Sequence, residues 1–344
     1  MKPTPHGSRR RSAFLIFPFL VLPLILAVPS GATHIAQQTS PAVTQDVQDA
    51  SGTLKLIVTV TDEKGRFVTG LLKESFGVFE GKSAREVTYF DDEDAPVSVG
   101  ILIDVSRSIK APNIDAARQL TAKFIRLGHP ENEYFLAEFN DKWRELTPWT
   151  RDGQTIVNAL RKVGMAGADA KPQTTQQKPQ GRGLTALYDA CFGALEQMAR
   201  AAHPKRAILI VTDGGRDNAS LHKAGEVRRL SATSGVLLYA VAATLPNYEL
   251  IIDPEGQRNL DEMCSQTGGR AFFPNNRPEM DAVYERIAWE LRHQYVVGFT
   301  PTNAAQSGKW NKVKIKVAPP SNFTRDIFVR SREGYFSPSP KPAP

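Results

Sequence analysis

Two stretches of the chain are apolar without alternation, and both stop at an aspartate. Residues 97–103 run Val-Ser-Val-Gly-Ile-Leu-Ile into Asp104, and residues 207–211 run Ala-Ile-Leu-Ile-Val into Thr212-Asp213-Gly214-Gly215. Unbroken apolar runs of this length suit strands buried on both faces of a sheet. Between residues 96 and 293 such runs alternate with segments of helical period, which predicts parallel strands joined by crossover helices. Residues 112–126 place Ile114, Ala117, Thr121, Phe124 and Ile125 on one helical face, and Pro112 suits a first turn. Residues 134–139 and 145–149 read as strands paired across Asn140-Asp141, and 155–163 as a short helix. A polar loop, 164–183, precedes a long helix from 184 to about 202. Beyond the second apolar run, 221–233 is helical and 236–242 is another buried strand. An insertion is expected at 244–259, then a helix at 260–267, a strand at 270–273 and a closing helix at 279–293. Tyr284 and Trp289 fall on that last helix's expected packing face.

The two ends of the chain have a different grammar. Residues 54–60 are strand-like, and 76–79 and 85–89 read as the arms of a hairpin around Glu80-Gly81-Lys82. Residues 77–83 imitate a phosphate loop, but the glycines are too close together and no helical pattern follows. Residues 294–299, 312–317 and 326–329 return to strand character. Neither set has enough strands to stand alone, so the two ends are expected to combine into one small β domain. The predicted fold class is α/β: a doubly wound, mostly parallel, Rossmann-like sheet with a β domain built from the flanks. The expected divisions are a signal peptide (1–32), a linker (33–52), an N-terminal β segment (53–95), the α/β domain (96–293), a C-terminal β segment (294–336) and a loose tail (337–344).

The leading segment changes the reading of charge. Its basic start, the apolar run over 13–28 and the small residues around Ser30 and Ala32 fit a secretory signal cut after Ala32. Pro18 and Pro23 interrupt a run already short for a spanning helix, so an uncleaved membrane anchor is the alternative. The whole chain carries a net charge of +7, but Lys2, Arg9, Arg10 and Arg11 leave with the signal, and 39 basic residues then face 36 acidic ones. A nucleic-acid role finds no support in that balance. Cys191 and Cys264 each lie on the apolar face of an expected helix and read as buried thiols, with a disulfide as the alternative in an exported protein.

Open α/β sheets present their ligands at the carboxyl ends of the strands, where Asp104 and Asp213 both fall. Asp104, Ser106 and Ser108 give one carboxylate and two hydroxyls within a single turn. Carboxylates and hydroxyls without nitrogen or sulfur ligands suit a hard divalent cation, and few charged ligands leave it open to an outside anion. Each residue also has a plainer role: Asp104 or Asp213 in a turn, and Ser106, Ser108 or Thr185 as helix caps. Enzyme templates are missing. The sequence holds no Gly-x-Ser-x-Gly elbow and no His-x-x-x-His pair, and the second aspartate of an aspartyl-phosphate loop is absent after Asp104. The chain is therefore read as a non-enzyme, with metal-dependent hydrolysis as a minor alternative.

Asp104-Val105-Ser106-Arg107-Ser108, Gly183-Leu184-Thr185-Ala186-Leu187 and Thr212-Asp213-Gly214 together resemble the three parts of the metal-ion-dependent adhesion site of von Willebrand factor type A domains. The resemblance spans about 96–293. It implies Asp104, Ser106, Ser108, Thr185 and Asp213 as direct or water-mediated ligands of Mg²⁺ or Mn²⁺. It also implies a protein partner that completes the shell with a Glu or Asp. Arg107 stands where that family often has glycine. Val58-Thr59-Val60-Thr61-Asp62, Leu291-Arg292-His293-Gln294-Tyr295 and Arg332-Glu333-Gly334-Tyr335-Phe336 further resemble a bacterial exported subfamily common in acidobacteria. The expected function is thus an exported, cation-dependent binding module, periplasmic or secreted. A cell-envelope scaffold with a vestigial metal site is the alternative.

Overall fold

The computed structural model describes residues 52–165, 184–214, 217–242, 254–302, 309–318, 323 and 326–337. The expected signal peptide, all of the linker but Gly52, the polar loop over 166–183 and the tail beyond 337 lie outside the described residues. No helix among the described residues is long and apolar enough to cross a membrane.

The chain enters through β1 (Leu54–Asp62), β2 (Phe76–Glu80), β3 (Ser83–Arg85) and β4 (Tyr89–Asp91). It then builds the α/β region: β5 (Ser98–Asp104), α1 (Ala111–Leu127), β6 (Glu133–Phe139), β7 (Trp143–Thr150), α2 (Gly153–Leu160), α3 (Leu187–Gln197), β8 (Arg206–Thr212), α4 (Ala224–Ser234), β9 (Leu237–Ala242), α5 (Pro254–Gln266), β10 (Arg270–Phe272) and α6 (Arg277–Arg292). It leaves through β11 (Tyr295–Phe299), β12 (Trp310–Val317), β13 (Ile327–Arg330) and β14 (Gly334–Phe336).

The central sheet has the order β10-β9-β8-β5-β6-β7 and is parallel except for the edge strand β7. Every residue of β5 is buried, as its unbroken apolar run predicts. Alternate side chains go to opposite faces. Val99, Ile101 and Ile103 face α1, α2 and α6, while Leu102, Ile208 and Ile210 face α3 and α5, where Cys191 and Cys264 lie buried as free thiols. The chain leaves β5 for β6 on one side and returns to β8 on the other. The carboxyl ends of β5 and β8 therefore form the topological switch point, where open sheets leave a crevice.

The flanks build two further four-stranded sheets, β13-β1-β11-β4 and β14-β12-β2-β3, each mixing strands from both ends of the chain. Leu54, Leu56, Val58, Phe76, Val78, Val297, Phe299, Val313 and Ile315 share their core. The expected fold class, including a β part made from both flanks, is the observed one.

Local expectations differ in several places. Residues 85–89 are not one hairpin arm: β3 closes the hairpin with β2, whereas β4 joins β11 in the other sheet. The helix expected from 184 begins at Leu187 and gives way after Gln197 to a short 3-10 turn, so Thr185 precedes it. Part of the expected insertion is the start of α5, whose first turns are polar and exposed. Tyr284 packs inward, but Trp289 is 49% exposed and does not belong to the packing face.

Candidate functional site

Asp104 is the last residue of β5, and its partners across the sheet fix where its carboxylate stands. Asp104 is paired with Phe139 of β6, and Val105 N donates to Phe139 O at 2.8 Å. The backbone then turns sharply, with Ser106 N donating to Asp104 Oδ1 at 2.8 Å. The other oxygen, Oδ2, accepts from Thr212 Oγ1 at 2.7 Å. Thr212 ends β8, so one carboxylate ties together the ends of the two central strands. Ser106 Oγ and Ser108 Oγ lie 2.9 Å apart. Asp104 and Ser106 are buried, whereas Arg107 and Ser108 are exposed. Gly214, at φ +73°, takes the left-handed turn that glycine allows just after Asp213.

Thr185 reaches the same rim through main-chain contacts. Ala186 N donates to Asn140 O at 2.6 Å, one residue beyond the Phe139 that pairs with Asp104. Thr185 N donates to Asn218 Oδ1 at 2.9 Å, and Asn218 N and Ala219 N donate back to Thr185 O at 3.2 Å. Asp217 Oδ2 accepts from Tyr188 N at 2.8 Å and from Ser220 Oγ at 2.6 Å, and Ser220 Oγ accepts from Asp189 N at 3.0 Å. The segment that follows Asp213 thus caps the start of α3, satisfying donors that a helix end leaves open. By sequence alone Asp217 and Asn218 read as loop solvation more readily than as ligands. They are the ties between the Thr185 and Asp213 segments. Thr212 was overlooked as well, although a hydroxyl one residue before a strand-end aspartate was a visible signal.

Electrostatically the rim is short of positive charge. Burial, with Asp213's carboxylate nearby, pushes the Asp104 carboxyl up to about 7, against the hydrogen bonds from Ser106 and Thr212. A buried carboxylate beside another is stabilised by a proton or by a cation. Among the described residues no group of three or more His, Cys, Asp or Glu side chains is placed to hold a metal ion. The donors gathered at this rim are instead two carboxylates and several hydroxyls, an all-oxygen set. That set fits a magnesium-like ion, which usually keeps several of its waters, and does not fit zinc or copper.

No curated protein matches the chain. Among solved structures, the conserved hypothetical protein BatB from Bacteroides thetaiotaomicron is 18% identical, with a TM-score of 0.41, and the match covers 56% of this chain and 98% of that one. An aerotolerance-related membrane protein from Bacteroides fragilis is 20% identical at a TM-score of 0.41, over 57% of this chain and 98% of that one. A von Willebrand factor type A protein from Catenulispora acidiphila is 10% identical at a TM-score of 0.43, over 81% and 73%. Residues 99–216, from β5 through the turn after β8, match the model of the von Willebrand factor type A domain family.

Proposed function

We propose that this is an exported, divalent-cation-dependent protein-binding module of the exported bacterial subfamily it resembles. The α/β region, 96–293, carries the binding site and the flanking β segments present it. Domains of the matched family generally serve protein interaction. The carrying observation is the buried Asp104 carboxylate, bonded to Thr212 and the Ser106 turn and raised toward neutrality by its burial and by Asp213. Asp104, Ser106, Ser108, Thr185 and Asp213 would hold Mg²⁺ or Mn²⁺. The ion would supply an electropositive, incompletely ligated centre for a partner's Asp or Glu carboxylate. Exposed Arg107 and the loop over 164–183 shape which partner is accepted.

The test is titration of the chain with Mg²⁺ and Mn²⁺ by calorimetry, followed by affinity capture from envelope extract. Asp104→Asn keeps one oxygen to accept from Ser106 N, puts an amide N–H that the Thr212 hydroxyl can accept where the second oxygen stood, and removes the charge. It should lower metal affinity at least tenfold and abolish EDTA-sensitive capture while the protein stays folded. Capture that is unchanged by EDTA overturns the proposal.

A further inference from the structure

The two flanking sheets share one core, so each keeps a second face that does not look into it. In the sheet β14-β12-β2-β3 that face is cationic. Along β12, Asn311, Val313 and Ile315 are buried, and Lys312, Lys314 and Lys316 between them are exposed. Alternate residues point to one side, so Trp310 and the three lysines stand in one row, about 7 Å from each to the next. Among the described residues none of these ammonium groups pairs with a carboxylate. Lys316 Nζ instead lies over the Phe79 ring of β2, 4.8 Å from its centroid. The one acid within these four strands, Glu80, is buried and accepts from Arg85, Thr302 and Tyr335.

The rings on this face lie down on the sheet. A Cβ on Gly334 of β14 would come within 2.6 Å of the Trp310 indole, so the indole rests on bare backbone there. Phe336 stands beside it, with centroids 4.8 Å apart. In the same way a Cβ on Gly77 of β2 would meet the Phe79 ring at 3.3 Å. The row borders a cleft of about 550 Å³, which Trp310, Lys312 and Lys314 share with Val329 and Ser331 at the end of β13. Among the described residues that line the cleft, Glu333 is the one carboxylate.

We propose that this face binds an anionic polysaccharide of the polyuronate type. The chain extends along β12, with its carboxylates on Lys312, Lys314 and Lys316 and one sugar ring stacked on Trp310. A straight row of cations without carboxylate partners calls for an extended polyanion, and lysines meet it as point charges. Single-stranded nucleic acid stacks successive bases on successive rings. Here Lys316 covers Phe79, and Arg229 lies over Phe336 at 5.8 Å from its centroid, which leaves Trp310 as the ring open to a stack. A membrane surface takes rings that reach into the headgroups, whereas Trp310 and Phe336 are half-buried against the sheet. A sugar ring needs one flat aromatic face, whose negative charge meets its C–H bonds.

The probe is a galacturonate hexamer, titrated into the full chain by calorimetry in EDTA, so that no metal at the Asp104 rim can take a carboxylate. A neutral galactose hexamer, a thymidylate hexamer and phosphatidylglycerol vesicles run in parallel. The uronate should bind saturably and more weakly as salt rises, and each of the other three at least tenfold more weakly. Lys312→Gln with Lys314→Gln changes two exposed side chains. It should leave the melting temperature unchanged and weaken the uronate at least tenfold. Trp310→Ala, with its fold checked by circular dichroism, should weaken the uronate at least threefold. Failure of the uronate to saturate, equal binding of the neutral hexamer, tighter binding of thymidylate or vesicles, or undiminished uronate binding by the double glutamine variant would each overturn the proposal.

Discussion

Lys205 sits one residue before β8, buried, with its ammonium on the carbonyl of Leu291 at the end of α6. Burial depresses it to about 8 from an ordinary 10.5. The sign follows from proton counting. Between pH 8 and 10.5 the unfolded chain holds a proton here that the folded chain has released. The contribution to stability is therefore present above pH 10.5 and is lost as pH falls through 8, a swing of about 3 kcal/mol. Lys205→Met removes it. The variant should be the more stable at pH 7, and its advantage should shrink by about that amount at pH 10.5 in paired urea titrations. A constant difference across the two pH values would show that the ammonium is not desolvated. At this scale the candidate rim was partly legible. Asp104 and Asp213 announce themselves because an apolar run that stops at a carboxylate places it at a strand end. The bond from Thr212 to Asp104 joins positions 108 residues apart, and no local pattern encodes which hydroxyl meets which carboxylate.

The segment 217–222 works as one element with the first turn of α3. Asp217 and Ser220 cap that turn from one side. From the other, Asp189 accepts from Leu221 N at 3.0 Å and from His222 N at 2.9 Å. The His222 ring donates its second tie, Nδ1 to Asp189 Oδ1 at 2.7 Å, and stacks on Phe192 with centroids 3.9 Å apart. Asp217→Ala removes acceptors for Tyr188 N and Ser220 N and should cost about 1 kcal/mol, the usual value of a helix cap. Hydrogen exchange should accelerate selectively at Tyr188 and Ser220. Since Thr185 hangs from the neighbouring Asn218, Mg²⁺ affinity should fall as well. Exchange unchanged at Tyr188 would remove this capping role. Element boundaries were legible where apolar period marks them and blurred where it does not. Residues 85–89 keep a strand pattern while the backbone crosses from one sheet to another around buried Val87, because alternation reports burial and not which strand is the neighbour. The start of α5 is polar and solvent-facing up to Leu260, so no apolar period betrays it.

On the scale of the molecule, the two ends of the chain meet the α/β region at one carboxylate. That the flanks combine was legible from their short count of strands. Their pairing was not, since β1 lies between β11 and β13, partners more than 200 positions away. Glu290 of α6 is fully buried, and its Oε1 accepts from Thr59 of β1 at 3.2 Å, from Tyr239 of β9 at 2.6 Å and from Arg330 of β13. Gln294 donates to Thr59 Oγ1 at 3.1 Å and to Tyr239 OH at 3.0 Å, closing the network. A buried ion pair stabilises little against an apolar replacement of both partners, but removing one partner strands the other. Glu290→Leu should therefore destabilise by about 3 kcal/mol, at the low end of such losses because the Arg330 side chain keeps 25% exposure. Glu290→Leu with Arg330→Leu should recover at least half of that loss, since the unpaired guanidinium is gone and Gln294 still bridges Thr59 and Tyr239. Urea unfolding of the two single variants and the double variant measures the coupling directly. Additive losses in the double variant would mean that Arg330 and Glu290 do not depend on each other.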